Sequence, residues 1–258
     1  MHVQIEAVSE SIAADTNNAA LYLKRGELYR LHQNFDAANL DFTAASLLSS
    51  NRWPVVNLAR ARLYLDIGWP LSAKESIDLY LRHEPASTEA WTLRAHALVQ
   101  LGEPIAAARD FTRAITHHLS PGPELFIDRA RAYALAGEEY YGKALGSLDE
   151  GIHLLGPLVT LQLPAIDYEL DRKNYNAALQ RLDLLAAQSP RKESWLKRRG
   201  EILLEAGRNE EARATFQQAL DALQSLPPTR RHVPAMVDLE NKLLELLNSK
   251  PKTSSSKS

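Results

Sequence analysis

Residues 25–45 read RGELYRLHQNFDAANLDFTAA, and residues 199–219 read RGEILLEAGRNEEARATFQQA. Both open on Arg-Gly-Glu. Both then set Ala, Phe and Ala at matching places: Ala38, Phe42 and Ala45 in one, Ala212, Phe216 and Ala219 in the other. A pattern written twice so far apart calls for a search for a period. Three more copies lie between them, starting at Arg60, Arg94 and Arg129, the last lengthened by two residues. The opening arginines step by 35, 34 and 35, and the remaining step, from Arg129 to Arg199, is 70. That gap holds one weaker copy, residues 159–190, which keeps Ala178 and Pro190 and lacks the Arg-Gly opening. The chain therefore reads as about six units with a period near 34 residues.

Each unit is predicted to be two helices. Tyr22, Gly26 and Tyr29 fall on one face of the first helical stretch, and Ala38, Phe42 and Ala45 on one face of the second. The turn between them is short and polar, His32-Gln33-Asn34 in the first unit, and Gly68, Gly102, Gly137 and Gly207 mark it elsewhere. Glycine suits a helix C-terminus because it takes a positive φ without steric cost. Pro85, Pro121 and Pro190 punctuate unit ends, where a residue without an N–H stops a helix.

The pattern resembles the tetratricopeptide repeat family, whose 34-residue signature runs Trp-x2-Leu-Gly-x2-Tyr, then Ala-x3-Phe, then Pro. The Trp slot holds Tyr22, Asn57, Trp91, Phe126, Gln162 and Leu196. The Gly slot holds Gly26, Ala61, Ala95, Ala130, Ile166 and Gly200. The Tyr slot holds Tyr29, Tyr64, Leu98, Tyr133, Glu169 and Leu203, and the Phe slot Phe42, Ile77, Phe111, Leu148, Leu182 and Phe216. The Ala slot is filled in every unit, by Ala38, Ala73, Ala107, Ala144, Ala178 and Ala212, as expected where two helices cross closely. The resemblance covers residues 19–226. It implies an all-α, right-handed superhelical α-solenoid of about six helix pairs, roughly fourteen helices in all. The organisation expected is an N-terminal half-repeat helix over 1–18, six repeats over 19–226, a C-terminal capping helix over 227–249 and a disordered tail over 250–258. In the cap, Val233, Met236, Val237, Leu243, Leu244 and Leu247 are expected to face the last unit.

One departure recurs. The Leu slot holds Arg25, Arg60, Arg94, Arg129 and Arg199, and Asp41 and Asp110 precede the Phe slot in two units. An arginine ladder for an anion is one reading; internal Arg–Asp pairs that tie helices together are the other. The second is favoured, because this slot faces the helix partner and not the groove.

Composition excludes several classes. The chain has 30 basic and 32 acidic residues, a balance that argues against nucleic acid as partner. It has no cysteine, so disulfides, thiolate metal sites and cysteine nucleophiles are impossible. No apolar run is long enough to cross a membrane, since the longest is broken by Gly156, Pro157 and Pro164. The first eighteen residues lack a basic and an apolar region and do not read as a signal peptide. The compartment stays open: cytoplasmic as the chain is written, periplasmic or secreted if a leader has been trimmed. No phosphate loop, dinucleotide fingerprint, zinc-protease motif or nucleophile elbow is present, so no catalytic residue, metal or cofactor is assigned. His117 and His118 read as a solvated loop pair, Glu138 and Glu139 as a solvated turn, and Arg191, Lys192, Lys197, Arg198 and Arg199 as a solvated helix start.

The expected function is that of a non-enzymatic interaction module, monomer or weak dimer, that receives a partner peptide or helix. The alternative is a small-ligand receptor or an accessory subunit supporting an enzyme. By the resemblance, the first helix of each unit points certain positions into a concave groove. Those flanking the Gly slot are Leu23 and Glu27, Leu58 and Arg62, Thr92 and His96, Ile127 and Arg131, Leu163 and Asp167, and Lys197 and Glu201. The next turn adds Arg30, Leu65, Val99, Ala134, Leu170 and Leu204. An apolar row runs beside a row of mixed charge, which suits an amphipathic helix or an extended apolar peptide oriented by Arg62 and Arg131.

Overall fold

The computed structural model describes residues 2–50, 52–189 and 191–248. Pro190 as a unit end, and the tail 250–258, lie outside the described residues. Among these residues every regular element is helical. The chain divides into two compact units, residues 1–140 and 141–258. The division falls within the repeat that carries the two-residue insertion.

The first unit opens with α1 (His2–Ala14), followed by three helix pairs: α2 (Ala19–Leu31) with α3 (Phe35–Leu48), α4 (Val55–Asp66) with α5 (Pro70–Leu81), and α6 (Thr88–Gln100) with α7 (Pro104–His117). It closes with α8 (Pro123–Leu135) and a 3-10 turn, Glu138–Tyr140. The second unit holds α9 (Tyr141–Leu155), the pair α10 (Val159–Asp171) and α11 (Tyr175–Gln188), and the pair α12 (Glu193–Glu205) and α13 (Asn209–Gln224). It ends with the short α14 (Pro228–Arg231) and with α15 (Pro234–Asn248). Fifteen α-helices are described where about fourteen were expected, the addition being α14. Within each unit the helices pack in chain order, each against the next, except that α13 packs on α15 past the short α14.

Local sequence explains the boundaries. The side-chain oxygens of Asn18, Asn34 and Ser87 accept from the backbone N–H groups of Ala20, Ala37 and Ala90, which satisfies donors that a helix start leaves free. Pro70, Pro104 and Pro123 stand in the first helical turn, where no N–H is needed. The turn within every repeat passes through one residue with positive φ: Gln33, Gly68, Gly102, Gly137, Lys173 and Gly207. Four are glycine. Lys173 locates the turn of the fifth repeat, where no glycine marks it in the sequence.

The core follows the slots. All six Ala-slot alanines are 0% exposed, and Phe42, Phe111 and Phe216 are buried. Size is balanced between the Gly and Phe slots. Gly26 and Gly200 lie against the rings of Phe42 and Phe216, where an added methyl carbon would come within 2.6 and 2.3 Å. Elsewhere Ala61 stands opposite Ile77, and in the fifth repeat Ile166 and Leu182 share one cluster.

The recurring arginines are internal. Arg94 of α6 donates from Nε and Nη2 to Asp110 of α7 at 2.6 and 3.0 Å, and from Nη1 to Asp78 of α5 at 2.6 Å. Arg25 repeats this, with Asp41 of α3 at 2.7 and 2.8 Å and the Ser9 hydroxyl of α1 at 3.1 Å. Arg25 and Arg94 thus each tie their own second helix, sixteen residues on, to the second helix before it, sixteen residues back. By this measure α1 occupies the place of a second helix. Arg199 reaches backward to Asp183, and Arg60, among the described residues, bonds the Thr43 hydroxyl at 3.2 Å. Burial pushes the Asp78 carboxyl up, but hydrogen bonds from Arg94 and Lys74 outweigh it and hold the group below its ordinary value.

The fifth repeat exchanges base and acid. Ala165 stands at its arginine slot, and Arg181 of α11 instead donates to Asp149 of α9 at 2.7 and 3.1 Å and to Glu169 of α10 at 3.4 Å. The tie survives with its polarity reversed, which is why the repeat looks weak as sequence.

The cap differs from the expected face. Leu239 and Leu243 are buried against α13, with Met236, Leu246 and Leu247 at the edge of the contact, whereas Val233, Val237 and Leu244 are exposed. The inward stripe begins at Met236 and runs at helical spacing through Leu239 and Leu243.

Three outcomes test the packing and the turns. Gly26→Ala should lose about 1–3 kcal/mol by overpacking, and Phe42→Ile added to it should restore part of the loss, because the pair then matches Ala61 and Ile77. Denaturant unfolding of the two variants checks it. Gly68→Ala, where a Cβ meets nothing within 4 Å, should lose about 1 kcal/mol through backbone strain alone. Lys173→Gly should be neutral or stabilising by up to about 1 kcal/mol, as read from the melting temperature.

Candidate functional site

The first helices of unit 1 bring their outward residues together. Glu27 and Arg62 hold the same slot in successive repeats, and that slot stacks from helix to helix. Arg62 Nη1 donates to Glu27 at 2.9 Å. Arg62 also donates from Nε and Nη2 to a single oxygen of Glu89, at 2.8 and 2.6 Å. Arg30 bonds Glu27 at 2.8 Å and Asp66 at 2.6 Å. The result is a connected lattice of two guanidiniums and three carboxylates across α2, α4 and α6. Burial works against the charge on Arg30 and Arg62, but the carboxylates outweigh it and raise both above the ordinary arginine value. Both cations are therefore committed within the protein.

Two cavities adjoin this lattice, and a third lies further along the first helices. One, of about 490 Å³, is lined by Arg30, Arg62, Leu65, Glu89, Leu93 and His96, among others. A second, of about 550 Å³ and largely apolar, lies between α2 and the start of α4, with Leu23, Leu28, Leu31, Trp53 and Val55 in its wall. A third, of about 270 Å³, lies between α6 and α8. There His96 packs edge-on against Phe111, with ring centroids 5.3 Å apart, and stands 3.3 Å from Asp128. Arg131 is exposed and 3.4 Å from Asp128.

The structure places the remaining expected residues as follows. Leu58 is only 4% exposed, packed with Ala61, Ile77, Leu81 and Ala90, and is withdrawn from the groove. Thr92 is half-buried and its hydroxyl donates to the Thr88 carbonyl at 2.9 Å. Ile127 is half-buried on α8. In unit 2, Leu163 is exposed, Asp167 lies 3.4 Å from Arg198, and Lys197 bonds Glu201 on its own helix. The basic cluster at the start of α12 is accordingly paired at Lys197, Arg198 and Arg199. Residues the sequence reading passed over are Asp66, Glu89, Leu93 and Trp53. A usable signal was present for the first two: opposite charges about one repeat apart on successive first helices.

Among the described residues, no group of three or more His, Asp or Glu side chains could hold a metal ion, and no helix is long and apolar enough to cross a membrane.

The sequence model of the tetratricopeptide repeat-like domain matches residues 129–238. The fold is the tetratricopeptide repeat. Among solved structures, the chain is similar to the C-terminal part of a tetratricopeptide repeat-containing protein from Cytophaga hutchinsonii, with TM-score 0.69 and 14% identity over 91% of this chain and 92% of that one. It is also similar to a tetratricopeptide repeat protein from Parabacteroides merdae, with TM-score 0.56 and 17% identity over 93% and 91%. Yeast Tom70 aligns with TM-score 0.52 and 18% identity, over 91% of this chain and 45% of that chain. At these identities the likeness is one of fold. No curated protein matches the chain in sequence.

Tetratricopeptide first helices need not carry such a lattice, and its contribution is measurable. Arg62→Met leaves the Glu27 and Glu89 carboxylates without their shared cation and should cost about 1 kcal/mol at low salt. The loss should shrink at high ionic strength, since the groups are partly exposed. Thermal melts at two salt concentrations check this.

Proposed function

We propose that the protein is a non-enzymatic interaction module that receives an amphipathic segment of a partner protein along the first helices of unit 1. The observation that carries this is the adjacency of a committed charge lattice and an apolar cavity of about 550 Å³. The cavity walls, Leu23, Leu28, Leu31, Trp53 and Val55, can take one or two apolar side chains of the partner. The lattice is fixed before binding, so little ordering cost falls on this side of the interface.

Charge refines the reading. The lattice holds one more carboxylate than guanidinium, and Asp66 and Glu89 are its more exposed acids. A basic residue of the partner suits that point. Arg62, expected to orient the partner, is taken up by Glu27 and Glu89; Arg131, exposed and held loosely by Asp128, is the freer cation for that role. The tetratricopeptide fold supports the class of function.

The test uses photo-crosslinking residues at Leu93 in the groove and at Leu40, which is 71% exposed on α3. A partner should be captured at Leu93. Its affinity should then fall roughly 10–100-fold on Leu23→Asp, the value of one buried leucine, and also on Glu89→Arg, with helical content unchanged. Capture at Leu40 alone, or full affinity in both variants, would move the interface away from the first helices.

A further inference from the structure

A fourth cavity, of about 370 Å³, lies on a different edge of unit 1, between the start of α3 and the end of α4. Its walls include Phe35, Asp36, Asn39, Tyr64, Ile67 and Trp69. None of these belongs to the groove described above.

Trp69 is the feature that needs explaining. It stands at the N-cap of α5, where it makes no capping hydrogen bond. Of the corresponding residues only Asn34 caps its helix through its side chain, while Glu103, Asn174 and Arg208 make no such bond. What sets Trp69 apart from these polar residues is a large indole that is 58% exposed. The ring is not loose: it lies nearly parallel to Tyr64, with centroids 6.0 Å apart and 22° between planes, and the backbone N–H of Trp69 donates to the Tyr64 carbonyl at 2.7 Å, which fixes the residue that carries it. A large aromatic ring held in place yet more than half exposed beside a cavity marks a candidate for function.

The surroundings select the ligand. Three aromatic rings, Phe35, Tyr64 and Trp69, share the cavity, and among the described residues Asp36 is the only ionised side chain in its wall. No described lysine or arginine lines it. Ile67 marks the C-terminal, electronegative end of α4, while Asp36 in the first turn offsets the positive pole of α3. Aromatic faces with one carboxylate and no competing base attract an organic cation. The volume falls within the range of small-ligand sites. Gln33 and Asn39 also line the cavity and could read the hydroxyls of a neutral sugar; the carboxylate of Asp36 beside three aromatic rings is the feature that favours a cation over it.

We infer that the aromatic cavity formed by Phe35, Tyr64 and Trp69 beside Asp36 binds an organic cation, a methylated ammonium or a guanidinium. That cation is presented either by a free small molecule or by a side chain of a bound polypeptide. The site is independent of the groove reading and stands or falls separately.

The experiment titrates the full chain with tetramethylammonium, choline, arginine amide and, as a neutral comparison, glucose. Binding is followed by the indole N–H resonance of Trp69 and by calorimetry. At least one cation should saturate the protein and shift the Trp69 resonance. Trp69→Ala and Asp36→Asn should each weaken that binding roughly tenfold, the scale of one cation–π contact or one partly exposed charge pair. Trp69→Phe should retain most of it, which separates a ring requirement from a folding defect. Preference for choline over arginine amide points to a free ammonium compound, and the reverse to a side chain on a polypeptide. Absence of saturable cation binding overturns the inference, as does stronger binding of glucose or cation binding indifferent to both substitutions.

Discussion

The close approach of paired helices within each unit at the buried alanines Ala38, Ala73, Ala107, Ala178 and Ala212 is the constraint on which the other contacts depend. With no side chain beyond a methyl at the crossing, the helices come near enough for the Phe-slot residue of one to press on the Gly slot of the other. The two slots then share one volume. Gly26 and Gly200 accept a phenylalanine ring, Ala61 goes with Ile77, and Ile166 goes with Leu182. At Gly26 and Gly200 the missing side chain is filled by the phenylalanine ring opposite, as close-packed interiors require.

Charge ties what packing brings together. Arg25 and Arg94 reach sixteen residues forward and sixteen back, so each fastens three helices with one guanidinium. Five donors in a planar fork make arginine suited to this. The fifth repeat keeps the tie through Arg181, with acids from Asp149 and Glu169. The contact is retained while the residue types trade places, so a repeat can depart from the slot pattern without losing the interaction that the pattern encodes.

On the outward side of unit 1 the same stacking makes the charge lattice. Glu27, Arg62 and His96 hold one slot in three successive repeats, and neighbours of opposite sign fall within hydrogen-bonding distance. An arginine that looks free in sequence is therefore spoken for in the fold. The apolar cavity walled by Leu23, Leu31, Trp53 and Val55 lies beside it.

The sequence by itself determined the repeat, its period, the helix pairs and the turns, because these rest on local rules. Helical spacing, proline, a cap or a glycine with positive φ act within a few residues of where they are written. It determined as well that Arg25 and Arg94 serve the interior, since Asp41 and Asp110 stand at a fixed offset in the same repeat. Other features were decided by tertiary structure. Leu58 and Leu163 hold the same slot, yet one is buried and the other 41% exposed, because burial there depends on which side chains the neighbouring repeat supplies. The cap turns Leu239 inward and leaves Val237 and Leu244 outside for the same reason: its amphipathic sequence admits more than one facing, and contact with α13 selects among them. The pairing of Arg62 with both Glu27 and Glu89, and the meeting of Phe35 with Trp69, join residues roughly a repeat apart; their distance is fixed by how one helix pair stacks on the next and by nothing within either pair alone.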